Sequence, residues 1–181
     1  MKSKIKIIFI IILLSYYSNL DGIAQETAIH EKINADMYGN FSKAFETLDY
    51  NLFASIHSND MIRISGNGGE IKGVKTYLEG YKKRWSKPKG KPALIDFRLF
   101  ERVYSETLVS DRGIYRASYT DNDNKVQYSY GQFHVVLKMI EGNWKILIDY
   151  DSNENETINK DSYDKAFSLS EHKKYEKHEN N

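Results

Sequence analysis

Apolar residues at Ile29, Ile33, Met37, Phe41, Phe45 and Leu48 recur at spacings of four, four, four, four and three. That stripe predicts one long amphipathic helix over Thr27 to Leu48. Gly39 lies within it and costs on the order of 1 kcal/mol of helix propensity, which the flanking apolar contacts outweigh. Asp49 is placed to cap a second, short helix carrying Leu52, Phe53 and Ile56. Met61, Ile62 and Ile64 predict a brief strand. Gly66-Asn-Gly-Gly69 predicts a tight turn after it, because glycine accepts the positive φ that a reversal needs. Val74, Tyr77, Leu78, Tyr81 and Trp85 form one face of a third helix, which Pro88, Gly90 and Pro92 end. From there the apolar period changes from about 3.6 to about 2. Ala93 to Tyr104, Leu108 to Thr120, Val126 to Ile140 and Trp144 to Tyr150 read as strands. Their links are short and rich in turn formers, which predicts an antiparallel meander and not a parallel sheet. Phe133, Val135, Leu137 and Met139 alternate with His134, Val136 and Lys138 and define the inward face.

Helices followed by antiparallel strands make an α+β layout, three N-terminal helices covering the apolar face of a strongly curved sheet. Beyond Asp151 the composition turns to Asn, Glu, Lys, Asp and Ser, so residues 153–181 are expected to be a charged, largely disordered tail. Tyr163, Ala166, Phe167 and Leu169 could form a weak docked helix within it. At the other end, Lys2, Lys4 and Lys6 precede the apolar run Ile7 to Leu14, and Gly22-Ile23-Ala24 offers a small-residue cleavage site. This is the pattern of a signal peptide over residues 1–24. The apolar run is about half of the roughly 20 residues that span a bilayer, so no stable membrane insertion is expected after cleavage. The product is then an exported, periplasmic or secreted domain over residues 25–152.

Cleavage after Ala24 removes Lys2, Lys4, Lys6 and Asp21 and takes the formal net charge from +1 to −1. A near-neutral chain lacks the basic excess of a nucleic-acid binder. The absence of cysteine excludes disulfides, thiol nucleophiles, zinc–thiolate sites and a lipid-bearing cysteine. There is no P-loop, GxGxxG, GxSxG elbow or HExxH, and no cofactor or metal site is expected.

Three pieces carry a family resemblance: His57-Ser-Asn-Asp60, Gly66-Asn-Gly-Gly-Glu-Ile-Lys-Gly73 and Gly142-Asn-Trp-Lys-Ile146. In this order of elements, roughly Ala28 to Ser152 resembles the cone-shaped nuclear transport factor 2-like superfamily, which includes ketosteroid isomerases and polyketide cyclases. The closing Asp149-Tyr-Asp-Ser152 looks like the final strand of its "domain of unknown function 4440" branch. The resemblance implies a cavity between helices and sheet and, as in many relatives, a homodimer formed through the outer sheet face. Ketosteroid isomerases keep a catalytic carboxylate near the end of the first strand and a tyrosine on the first helix. By spacing, those positions fall near Ser65 and Phe41. Serine is a poor proton acceptor near neutral pH and phenylalanine cannot donate to an oxyanion, which counts against steroid isomerisation. Tyr38 and Glu70 could substitute only in a shifted register.

The expected function is the binding of a small apolar or aromatic ligand. Tyr81, Trp85, Tyr115 and Tyr130 would be walls and Arg63 a polar contact. Two alternatives remain open: a non-catalytic dimerisation or interaction module, and an isomerase-, dehydratase- or cyclase-type enzyme in which His134 or Asp149 moves a proton. A histidine suits that task because its ordinary pKa is near 6.5. By strand parity His134 faces away from Phe133 and Val135, and only a bulge at Gly131 would turn it inward. Asp149 and Asp151 share a face, so they could divide acid and base roles. Arg98, Arg102, Arg112 and Arg116 repeat at spacings of four on adjacent strands. They read either as a cationic stripe for an anion or as cross-strand partners of Asp96, Glu101 and Asp111.

Overall fold

The computed structural model describes residues 25–87 and 91–177, so the expected export segment lies outside the described residues. The chain divides into two units, residues 1–33 and 34–181. Residues 25–33 are α-helical (α1). The second unit opens on a π-helical stretch, Asn34–Gly39, followed by α2, Asn40–Thr47. The four-residue spacing that marked this region is longer than the α-helical turn of about 3.6 residues, so the apolar stripe would drift around a regular helix. A wider π turn absorbs that drift and keeps Met37 and Phe41 on one side.

Asp49 caps α3, Tyr50–Ser55, by accepting from the Leu52 amide at 3.0 Å. Strand β1, His57–Ser65, turns back through Gly66-Asn-Gly-Gly69 into β2, Glu70–Gly73, a short strand that the hydrophobic pattern did not mark. Gly69 has φ +62°, and a Cβ on Gly66 would lie 2.5 Å from the Tyr150 hydroxyl, so this turn needs glycine at both positions. Helix α4, Val74–Trp85, comes next. Then come β3, Leu94–Tyr104, β4, Leu108–Thr120, β5, Val126–Ile140, and β6, Asn143–Ser152.

These strands form a curved, unclosed α+β sheet in the order β2-β1-β6-β5-β4-β3, antiparallel from β3 to β6 as expected. The exception to a pure meander is β1, which pairs parallel with β6. Leu99, Val109, Phe133, Val135, Leu137, Trp144 and Ile146 are buried on its inner face. No helix among the described residues is long and apolar enough to cross a membrane.

Register also shifts on β1 between His57 and Ile62, ahead of Arg63, and irregularities on β3 and β6 turn further polar residues inward. Leu99 pairs with Gly113 but Glu101 pairs with Arg112, which leaves Phe100 as the extra residue. Val136 pairs with Ile148 but Leu137 pairs with Ile146, which leaves Leu147 as the extra residue. One inserted residue flips the parity of everything after it. Arg102 is thereby turned into the interior, and on β6 the inward set changes from Trp144 and Ile146 to Asp149 and Asp151.

The segment after Asp151 corrects the expectation of a disordered tail. It forms α5, Lys160–Lys165, β7, Phe167–Ser168, and α6, His172–Tyr175. Strand β7 pairs with β3 and becomes the edge of a seven-stranded sheet. Tyr163 and Ala166 are buried against Ile114 on the outer face, and the guanidinium carbons of Arg98 and Arg116 lie 4.4 Å and 5.0 Å from the Tyr163 ring centroid. A few apolar anchors suffice because cation–π contacts and backbone pairing hold the polar remainder. The arginine repeat resolves into cross-strand pairs, Arg116 with Asp96, Arg112 with Glu101 and Arg102 with Asp111.

Candidate small-molecule cavity

A cavity of about 220 Å³ lies between the helices and the inner face of the sheet in the second unit. Met37, Phe41 and Phe45 supply one apolar wall and Phe97, Phe133 and Val135 the other. Its polar end is built by four elements. Strand β1 carries Arg63, helix α4 carries Tyr77 and Tyr81, and β6 carries Asp149 and Asp151, while Tyr115 reaches in from β4. The parallel register sets Arg63 opposite Asp149 and Ser65 opposite Asp151, which places the guanidinium between the two carboxylates.

Arg63 Nη1 donates to the backbone oxygens of Ile64 and Asp149 at 3.0 Å and 3.1 Å and lies 3.4 Å from Asp149 Oδ1. Its Nη2 donates to Asp151 Oδ1. The Tyr77 hydroxyl donates to Asp149 Oδ2 at 3.4 Å and the Tyr115 hydroxyl to Asp151 Oδ2 at 3.5 Å. Tyr115 can cross the sheet here because its cross-strand partner is Gly131. A Cβ on residue 131 would sit 2.5 Å from the tyrosine hydroxyl.

Burial pushes the Asp149 carboxyl up to about 6, and repulsion from Asp151 adds to that, against the pull of Arg63. For Arg63 the balance is reversed: burial would lower it, but Asp149 and Asp151 together hold it above its ordinary range. Burial also raises the hydroxyls of Tyr77, Tyr81 and Tyr115, so all three remain protonated donors at neutral pH. Next to them His57 is buried, with Nδ1 2.7 Å from the Phe53 carbonyl, and burial lowers it to about 4.

Of the residues singled out in the sequence, the structure brings Arg63, Tyr81, Tyr115, Asp149 and its face partner Asp151 together in this cavity. His134 is not with them. The pairing of β4 with β5 runs without interruption through Gly131, so no bulge turns His134 inward, and it sits exposed with Nε2 2.9 Å from Ser110 Oγ. Tyr130 shares that outer face and packs near Tyr163, ring centroids 6.0 Å apart. Trp85 stands behind the wall, edge-on to Phe45 at 5.1 Å. Tyr77 completes the site, and the signal for it was its helical spacing with Tyr81.

No family model matches the chain, and no curated protein matches it. Solved structures do. An NTF-2-like protein of unknown function from Shewanella oneidensis aligns with a TM-score of 0.51 at 17% identity, over 67% of this chain and 97% of that one. This chain has the nuclear transport factor 2-like fold. A conserved protein from Planctomyces limnophilus shares it with a TM-score of 0.59 at 16% identity, over 69% of this chain and 95% of that one. The association domain of CaMKII from C. elegans gives 0.51 at 10% identity, over 76% and 98%. At such identities the likeness is one of fold alone.

Within this nuclear transport factor 2-like fold, Phe41 lines the cavity as an apolar wall and Ser65 does not line it. The carboxylates come instead from β6, the strand beside β1. Neither suggested substitute reaches the site: the Tyr38 hydroxyl is buried and donates to Asp111 Oδ2 at 2.7 Å, and Glu70 is exposed.

Proposed function

We propose that this is an exported domain that binds a small, partly apolar molecule in the cavity, with the polar part of the ligand against Arg63, Asp149 and Asp151. The observation that carries this reading is an apolar-walled space of about 220 Å³ whose polar groups converge at one end. An apolar cavity of about 150 Å³ holds a benzene molecule, so this one suits a single ring with a short substituent and is too small for a sterol. A thermal-shift screen of single-ring acids, alcohols and amines tests the reading on the full chain. Ligands that prefer the folded state raise the melting temperature. Ala117 lines the cavity, and an Ala117→Phe substitution should fill it and abolish the shifts while the protein stays folded. A screen without hits, or shifts that survive Ala117→Phe, would count against the cavity.

Export rests on the basic and apolar pattern of residues 1–24, and N-terminal sequencing of secreted protein should then begin at Gln25. The closing Asp149-Tyr-Asp-Ser152 supports the "domain of unknown function 4440" branch. A second reading, an isomerase-, dehydratase- or cyclase-type enzyme, is favoured by Asp149, a buried carboxyl held near 6 beside the hydroxyl of Tyr77. Homodimerisation through the outer face draws support from the likeness to an association domain, and sedimentation at several concentrations decides it.

A further inference from the structure

We propose that the ligand class of this cavity is a small cyclic or branched hydrocarbon bearing one protonated amine, its ammonium group seated between Asp149 and Asp151. The inference rests on the cavity-binding reading and adds the charge of the ligand. It follows first from the charges at the polar end, where two carboxylates face one guanidinium. A ligand carboxylate would bring a third negative charge beside Asp149 and Asp151 at a mostly buried site, where like charges repel more than in open water. An ammonium would balance the set.

Hydrogen bonding points the same way. Arg63 is committed to its own scaffold. Its Nη1 serves the backbone oxygens of Ile64 and Asp149, and its Nη2 serves Asp151, so it acts as a fixed counter-charge and not as an anion receptor. The outward oxygens of the two carboxylates are the under-used groups. Asp149 Oδ2 and Asp151 Oδ2 are met by tyrosine hydroxyls at 3.4 Å and 3.5 Å, well beyond the usual O–H···O⁻ distance of about 2.5–2.7 Å. An ammonium has three donors and can serve both. The remaining wall is aromatic, with Phe41, Phe45, Tyr81 and Phe97 presenting ring surface to a ligand cation or to the ring that carries it.

The test compares benzylamine, benzyl alcohol and benzoate, which keep one ring and change only the charge. Calorimetry and thermal shift are run on the full chain at pH 7.5. Benzylamine should bind at least about tenfold more tightly than benzyl alcohol, and benzoate should give no shift. Asp151→Asn should cost benzylamine about tenfold in affinity and should narrow its advantage over benzoate. Asp149→Asn is the second variant should the first not fold. Benzoate or benzyl alcohol binding as tightly as benzylamine in an Ala117→Phe-sensitive manner would overturn the charge assignment and leave the cavity reading intact. An unchanged benzylamine affinity in both Asn variants would also overturn it. Failure of all three probes together with the whole screen would remove the cavity reading and this inference with it.

Discussion

Arg102→Met is expected to destabilise the domain by about 3–5 kcal/mol, the range for removing one partner of a buried ion pair. Arg102 and Asp111 are both fully buried. Arg102 Nε donates to Asp111 Oδ1 at 2.9 Å and Nη2 to Oδ2 at 2.7 Å, a bidentate pair, and the Tyr38 hydroxyl donates to the same carboxylate at 2.7 Å. Without the guanidinium, Asp111 is a carboxylate in a dry core with a single tyrosine donor. Desolvation that the pair tolerates jointly then falls on one group. In a domain of this size the melting temperature should drop by on the order of 10 °C, measurable by calorimetry or denaturant titration. Replacing both members, Arg102→Met with Asp111→Leu, and Tyr38→Phe to remove the stranded hydroxyl, should recover most of the loss. A single variant within about 1 kcal/mol of the parent would show that water reaches this pair and that the network is not the anchor described.

Asp149→Asn should do the reverse and stabilise the fold at neutral pH. A carboxyl held near 6 when folded and near 3.8 when unfolded contributes stability that is fully present below about 3.8 and is lost as pH rises through 6. At pH 7 the loss is complete and amounts to on the order of 3 kcal/mol. His57 has the opposite sign. Its folded pKa of about 4 lies below the ordinary 6.5, so its contribution is fully present above 6.5 and is lost as pH falls toward 4. Its magnitude is again on the order of 3 kcal/mol. Between about pH 4 and 6 the two slopes oppose and the parent protein should show little net pH dependence from this pair. Asp149→Asn should exceed the parent in urea-determined stability at pH 7, converge with it by about pH 4, and expose the His57 slope between them. His57→Gln should expose the Asp149 slope. An Asp149→Asn variant less stable than the parent at pH 7 would mean that the Arg63 ion pair outweighs burial. The expected gain is what a site retained for binding or chemistry, at a cost in stability, would show.

Most elements were legible in the chain because their signals are local. The Asp49 cap, the Gly66–Gly69 turn and the inward alternation of Phe133, Val135 and Leu137 all stand where the pattern put them. The site was legible in part. Arg63, Tyr81, Tyr115 and Asp149 meet in the cavity, whereas Trp85, Tyr130 and His134 lie elsewhere. The tail was legible only in the docked helix expected around Tyr163 and Ala166, and its remaining order was hidden for a compositional reason. Tyr163, Ala166 and Tyr175 are few among many polar residues, yet each finds a buried seat prepared by β3 and β4.

By itself the sequence determined the order of helices and strands up to β6 except for β2, the α+β class and the inner face of β5, since hydrophobic period and turn chemistry act over a few residues. The tertiary structure alone decided which polar side chains share that inner face. The extra residues at Phe100 and Leu147 arise from pairing with neighbouring strands, and each reverses parity downstream. An even spacing of four put Arg98 and Arg102 on one face on paper, and the bulge at Phe100 parts them. On β6 Trp144 and Ile146 face inward, and the bulge at Leu147 hands that row to Asp149 and Asp151 instead of Ile148. Strand period is a local property, but register is settled by the summed pairing of whole strands, and the candidate site exists because of it.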